Sequence, residues 1–339
     1  MSLFVEAPGL LTTIQDAGRF GRQHLGVGPA GAADSLSYIL ANFLVGNPPG
    51  LAALEFTLRG PTLVAEDDLI LAFTGAPFPL LVDGSPLPRC RAIAVRKGTR
   101  LDFGETPTGL RGYLAVAGGV QVPAVMESAS TDLRGAFGGH QGRALRSGDH
   151  VAVGPAPDRA SSFLSALAGL RVGFRVLPWR LPWTGPLPGD GRNEPLRVVP
   201  GPHWSRLSRS GQEAFRQEPF RVGSRSDRMG LRLNGPALDL EHPLELISAG
   251  VTTGTLQLPP DGGPILLLAD RQTTGGYPRL GEVASVDLPW AGQLRPGDTL
   301  RFRLVPVAEA QGEALALERR LDFLARILDQ EWLNSRIMG

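Results

Sequence analysis

The chain has 339 residues, 42% of them hydrophobic, and carries 34 basic against 33 acidic side chains, for a net charge of +1. So even a balance supplies no field to recruit nucleic acid or an anionic membrane, and the hydrophobic share is ample for the packed cores of about two domains. Glycine (44) and proline (30) are abundant without a collagen-like period, which points to many turns between short strands and so to a β-rich fold.

Single residue types narrow the chemistry further. Lys97 is the only lysine, and Arg96-Lys-Gly-Thr99 is not the Gly-Lys-Ser/Thr of a phosphate-binding Walker loop. Cys90 is the only cysteine, which excludes an internal disulfide and a CxxC metal site and fits a reducing cytoplasm. The five histidines show no metal-ligand spacing. Met1 to Pro8 lacks the basic and apolar regions of a secretory signal, and no apolar run approaches the ~20 residues of a membrane span. The expected location is the cytoplasm.

From Ala7 to Asp34 turn residues alternate with polar side chains in a loop too elaborate for a simple connection. Gln15, Asp16, Arg19 and His24 are its candidate substrate-binding residues, with Asp16 placed to orient Arg19 as an ion pair and His24 able to titrate near neutral pH. Asp34 or Ser35 then caps a helix whose apolar residues Leu36, Ile39, Leu40, Phe43 and Leu44 follow helical spacing, ending at Gly46-Asn47-Pro48. Short apolar runs such as Leu69–Phe73, Ala92–Val95 and Tyr113–Ala117 read as strands of a barrel or sandwich. The glycine-rich stretch 128–143 lacks the strand and helix that a dinucleotide-binding glycine loop requires.

Gly60-Pro61, Leu63, Leu69, Leu71 and Gly75 recur 175 residues later as Gly235-Pro236, Leu238, Leu244, Leu246 and Gly250. Two copies of one β domain follow from that repeat: an N-terminal domain over 1–154 and a second over 203–308. Between them, 155–202 reads as a proline-rich linker with an extended strand embedded at Val172–Val176. Ser210-Gly-Gln-Glu213 has the form of a capping box opening a short helix. Arg225, Asp227 and Arg228 make a further polar loop. The strand-like run Pro264–Ala269 leads into Asp270-Arg-Gln-Thr-Thr-Gly-Gly-Tyr-Pro278, an exposed glycine loop with five hydrogen-bonding side chains suited to a small polar molecule. After it, Gly281 to Asp287 resumes strand-like alternation. Over 309–339, Leu317, Leu321, Leu324 and Leu328, with Ile327 and Trp332, form the apolar side of a C-terminal helix.

Five of these segments together resemble the biotin-dependent carboxyltransferase-like family, also called allophanate hydrolase subunit 2-like: Pro8–Arg19, Ala41–Asn47, Leu54–Pro61, Arg228–Pro236 and Asp270–Pro278. The family includes the C-type component of bacterial 5-oxoprolinase (PxpC and KipA types). The resemblance runs from Pro8 to about Val305 and departs mildly at Ala33, where methionine is common. It implies a mainly β fold of two related cyclophilin-like β-barrel domains with few helices. It also implies action with a homologous B-type partner protein and an A-type partner protein, in a heteromeric complex that opens 5-oxo-L-proline to L-glutamate with ATP as co-substrate. Catalytic roles would fall to Arg271, Gln272, Thr273 and Tyr277, and substrate binding to Arg228 and Thr274 beside Gln15, Asp16, Arg19 and His24. Lys97 lacks the Met-Lys-Met-like surroundings of a biotin carrier, so the chain bears no covalently attached biotin. The alternatives are a urea-type carboxyltransferase component served by a separate biotin carrier, and a KipA-type regulatory binder.

Overall fold

Strands form where the apolar runs predict them. The computed structural model describes residues 1–165, 167, 173–183, 186–191 and 194–334, and it is mainly β with few helices. The chain folds into two compact units. One holds Met1–Arg19, Asp34–Gly191 and the chain from Arg320 on; the other holds Phe20–Ala33 and Arg192–Arg319.

The first unit has two six-stranded sheets facing one apolar core. Leu69–Gly75 is buried at every position because it is paired on both sides, with Leu71 opposite Ile93 of Arg91–Val95 and opposite Val116 of Arg111–Val116. Phe56, Phe73, Phe78 and Phe103 meet at the centre, with Phe56 4.9 Å from both Phe78 and Phe103. The helix Ser35–Leu44 is capped by Asp34, whose carboxylate accepts from the Ser37 amide and hydroxyl. The proline-rich stretch 155–202 contributes a strand to each unit. Phe174–Arg180 pairs with Arg91–Val95, and Leu196–Pro200 lies between Arg279–Val283 and Phe302–Leu304. Val172, the expected start of the embedded strand, lies outside the described residues.

The second unit is an eight-stranded sheet whose end strands, Thr299–Leu300 and Phe302–Leu304, are separated only by Arg301. The sheet therefore nearly closes on itself as a barrel. Phe215 and Phe302 stack 4.7 Å apart in its core, beside Phe220 and Trp204. Here three local readings are corrected. The helix Arg209–Gln217 begins two residues earlier than the capping-box pattern suggests, because the Ser208 hydroxyl, not that of Ser210, accepts from the Gly211 amide. The repeat breaks after Leu238: Leu69 and Leu71 are buried in a central strand, whereas Leu244 and Leu246 are half-buried, their neighbour Ile247 is 94% exposed, and only Ala249–Gly250 pairs as strand. The alternation beyond Gly281 ends at Val283, since Ser285–Asp287 is a 3-10 turn.

The last helix, Val307–Asn334, buries Leu324, Leu328 and Trp332. Trp332 lies 4.5 Å from the ring of Trp179 and 5.6 Å from that of Phe163, within the first unit.

Candidate functional site

The polar residues that gather in the second unit do so through strand register. In the antiparallel pairing of Thr255–Gln257 with Arg279–Val283, Thr255 stands opposite Glu282 and Gln257 opposite Arg279. Arg279 and Glu282 are three residues apart and would face opposite ways in a regular strand. Leu280 is the extra residue of a bulge between the two pairs, so both fall on the face away from the leucine core. That face is nevertheless dry: Thr255 and Gln257 are 0% and 1% exposed. Ala249–Gly250 pairs with Thr274–Gly275, and the glycine loop continues over it. Gly275 packs on the Gln257 side chain, where a Cβ would meet the amide nitrogen at 2.3 Å and displace it.

Three side chains define the chemistry. Both Glu282 oxygens accept from the Thr255 hydroxyl at 2.9 Å, and Oε2 also accepts from Thr252. Burial raises its carboxyl above the usual range, against the pull of those hydroxyls and of Arg279 and Arg271. Arg271 is only 5% exposed, which corrects its expected place on an exposed loop. Its guanidinium donates to Thr253 Oγ1 at 3.3 Å and to the Gln272 carbonyl at 3.0 Å, and burial lowers its pKa. Gln272 donates to Gln257 Oε1 at 3.2 Å, tying the loop to the sheet. Behind them His203 accepts from the Arg279 amide, and burial together with Arg279 lowers its pKa. Thr273 is half-buried, while Thr274 and Tyr277 are exposed at the rim.

The other expected site residues divide between the two units. Arg228 is a clamp: it grips Asp270 through two hydrogen bonds, at 2.8 and 2.9 Å, and donates to the Gly31 carbonyl at 2.6 Å, holding the 20–33 segment to the second unit. His24 lies in that segment and is exposed. Gln15, Asp16 and Arg19 belong to the first unit. The expected Asp16–Arg19 ion pair gives way to another arrangement. Asp16 accepts from Gly18 and Ala129 amides and from the Ser128 and Ser130 hydroxyls, while Arg19 donates to the Val125 and Ser130 carbonyls and lies 4.7 Å from the Phe137 ring centre. Gln15 reaches Thr13 and the Thr131 carbonyl. This cluster secures the glycine-rich 128–143 loop. Sequence reasoning missed Glu282, Gln257, Thr252, Thr253, Thr255 and His203. The only signal for Glu282 was an acid within a strand-like run, and a bulge cannot be read from spacing.

Among the described residues no group of three His, Cys, Asp or Glu side chains is placed to hold a metal. Burial pushes the Cys90 thiol up to about 11, which leaves it a protonated, poor nucleophile near neutral pH. The site thus offers a buried cation, amide and hydroxyl hydrogen bonds and a carboxyl whose pKa burial raises.

The site lies on the face away from the leucine core of a near-closed barrel sheet, which is antiparallel except where Leu196–Pro200 pairs with Phe302–Leu304. The chain belongs to the carboxyltransferase domain family, subdomain A and B, whose model matches residues 25–304. It is 35% identical over 319 residues to the C-type component of the Haemophilus influenzae 5-oxoprolinase, covering 94% of this chain and 96% of that protein. The C-type component of the Escherichia coli 5-oxoprolinase is likewise 35% identical over 323 residues, with 95% and 97% covered. The crystal structure of Kluyveromyces lactis urea carboxylase superposes with a TM-score of 0.84 at 29% identity, covering 95% of this chain and 29% of that one.

Proposed function

We propose that the chain is one component of an ATP-dependent 5-oxoprolinase, acting with two partner proteins to open 5-oxo-L-proline to L-glutamate. The observation that carries this reading is end-to-end likeness: both relatives named as C-type components of 5-oxoprolinase are matched over nearly their whole length. A urea carboxylase is matched over less than a third of its own.

A lactam resists water because its carbonyl is resonance-stabilised. In the reaction proposed, the lactam oxygen attacks the γ-phosphorus of ATP and displaces ADP. Water then adds to the activated carbon, and the ring C–N bond breaks with a proton going to nitrogen, leaving an acyl phosphate; a second water hydrolyses this to the side-chain carboxylate of glutamate and free phosphate. In this reading Arg271 supplies positive charge to hold the anionic substrate, and Gln272, Thr273 and Tyr277 orient the lactam by hydrogen bonds. Arg228 and Arg19 position loops, because their guanidinium groups are spent on Asp270 and on backbone carbonyls.

The test is co-expression with the partner proteins and an assay of ATP-dependent glutamate release from 5-oxoproline, with and without this chain. Release only in its presence is expected, with Gln272→Ala cutting turnover by about tenfold or more. Full turnover without the chain would sink the reading. The TM-score of 0.84 to urea carboxylase supports a second reading, carboxyl transfer, which bicarbonate and biotin dependence would reveal.

A further inference from the structure

We infer that Arg271 is the anchor for a carboxylate, with the carboxylate of the 5-oxoproline ring as its natural occupant. The choice of 5-oxoproline rests on the reading above; the carboxylate site itself does not. Of the other three strongly buried arginines, Arg228 grips Asp270, Arg111 lies 3.6 Å from Glu55, and Arg19 donates to the Val125 and Ser130 carbonyls and lies against the Phe137 ring. Arg271 is 5% exposed and has no carboxylate within ion-pair distance among the described residues. Its hydrogen bonds are one long contact to Thr253 and one to the carbonyl of the next residue, and its Nη2 finds no acceptor among the described residues. Nη2 is not among the side-chain atoms sealed from solvent without a partner, so an incoming anion can reach this guanidinium.

A second donor points the same way. Gln257 Nε2 is sealed from solvent without an acceptor among the described residues, while its Oε1 is held by Gln272, the residue whose carbonyl Arg271 binds. A planar guanidinium edge matches a flat two-oxygen anion better than a tetrahedral one. Glu282, on the same sheet face, holds its proton more readily than an ordinary carboxyl and so opposes an arriving anion less.

The experiment is calorimetric titration of the purified chain with sodium 5-oxo-L-prolinate, sodium acetate, neutral 2-pyrrolidone and inorganic phosphate. Wild type, Arg271→Lys, Arg271→Gln and Gln257→Leu are compared, each checked for an unchanged thermal melt. The carboxylates should bind and 2-pyrrolidone should not. Arg271→Gln should weaken binding by about tenfold or more, with Arg271→Lys and Gln257→Leu in between. In the co-expressed complex the Arg271→Gln loss should fall on KM for 5-oxoproline. Binding of phosphate in preference to carboxylates, equal binding of 2-pyrrolidone, no carboxylate binding by the wild type, or a loss confined to kcat would each overturn the proposal. Carboxylate binding without glutamate release from the complex would refute the 5-oxoprolinase reading and leave the carboxylate anchor standing.

Discussion

Asp34 joins a helix to a buried polar network, so its contribution exceeds that of an ordinary cap. Its carboxylate satisfies Ser37, and its own amide donates to the Tyr113 hydroxyl at 2.7 Å. Tyr113 in turn donates to Glu55 at 2.8 Å, and Arg111 stands beside Glu55. Burial, Glu55 and Asp34 raise the phenol well above its usual value, which keeps it a neutral donor at any working pH. Asp34→Ala removes the cap and strands buried donors, so a loss of about 2 kcal/mol is expected in urea unfolding. Asp34→Asn, which keeps an acceptor, should recover part of it; equal losses in the two variants would show that the cap does not matter.

At the scale of elements, the C-terminal helix is the clearest case of sequence pattern becoming packing. Helical spacing marked Leu317, Leu321, Leu324 and Leu328, and the structure buries the latter two with Trp332, while Leu317 and Leu321 are half-buried. Trp332 is 0% exposed against Trp179 and Phe163. Replacing it with alanine should cost about 3–5 kcal/mol, read as a lower urea midpoint with an unchanged slope. A change below about 1 kcal/mol would mean that the helix contributes little to folding. The Asp270–Pro278 loop was legible in a different way. Its glycines and polar side chains marked it as a site, yet the burial of Arg271 depends on a sheet face that no local pattern describes.

Across the whole molecule, stability against acid is set by groups whose pKa values folding moves in different directions. Asp149 accepts from both Arg143 terminal nitrogens and from the Arg146 amide, which together hold its carboxyl well below the usual range. Its stabilisation is complete above the unfolded value near about 4 and is lost as pH falls toward the depressed folded one. His203, lowered by burial, likewise contributes above about pH 6.5 and is lost below it. Glu282 has the opposite sign: its raised folded pKa favours the protonated native state, and its contribution fades as pH rises through that value. Asp149→Asn should therefore cost about 1–3 kcal/mol at about pH 7, with the gap to wild type narrowing below about pH 4. Urea unfolding at the two pH values checks this, and a gap independent of pH would rule it out.

Periodicity and turn residues determined by themselves that the fold is mainly β, where its principal helices lie, and which glycine loop gathers polar side chains, because these depend on near neighbours in the chain. The five motifs carried the family. Only the tertiary structure decided how each buried arginine is compensated. Arg19, Arg228 and Arg271 look alike in sequence, but Arg19 is met by carbonyls 106 and 111 residues away and Arg228 by Asp270, 42 residues on. The bulge at Leu280 turns Arg279 to the face of Glu282, which pairs with Thr255 and lies within the field of Arg271. Charge compensation and strand register are set by partners distant in sequence, so they exist only once the sheet has formed.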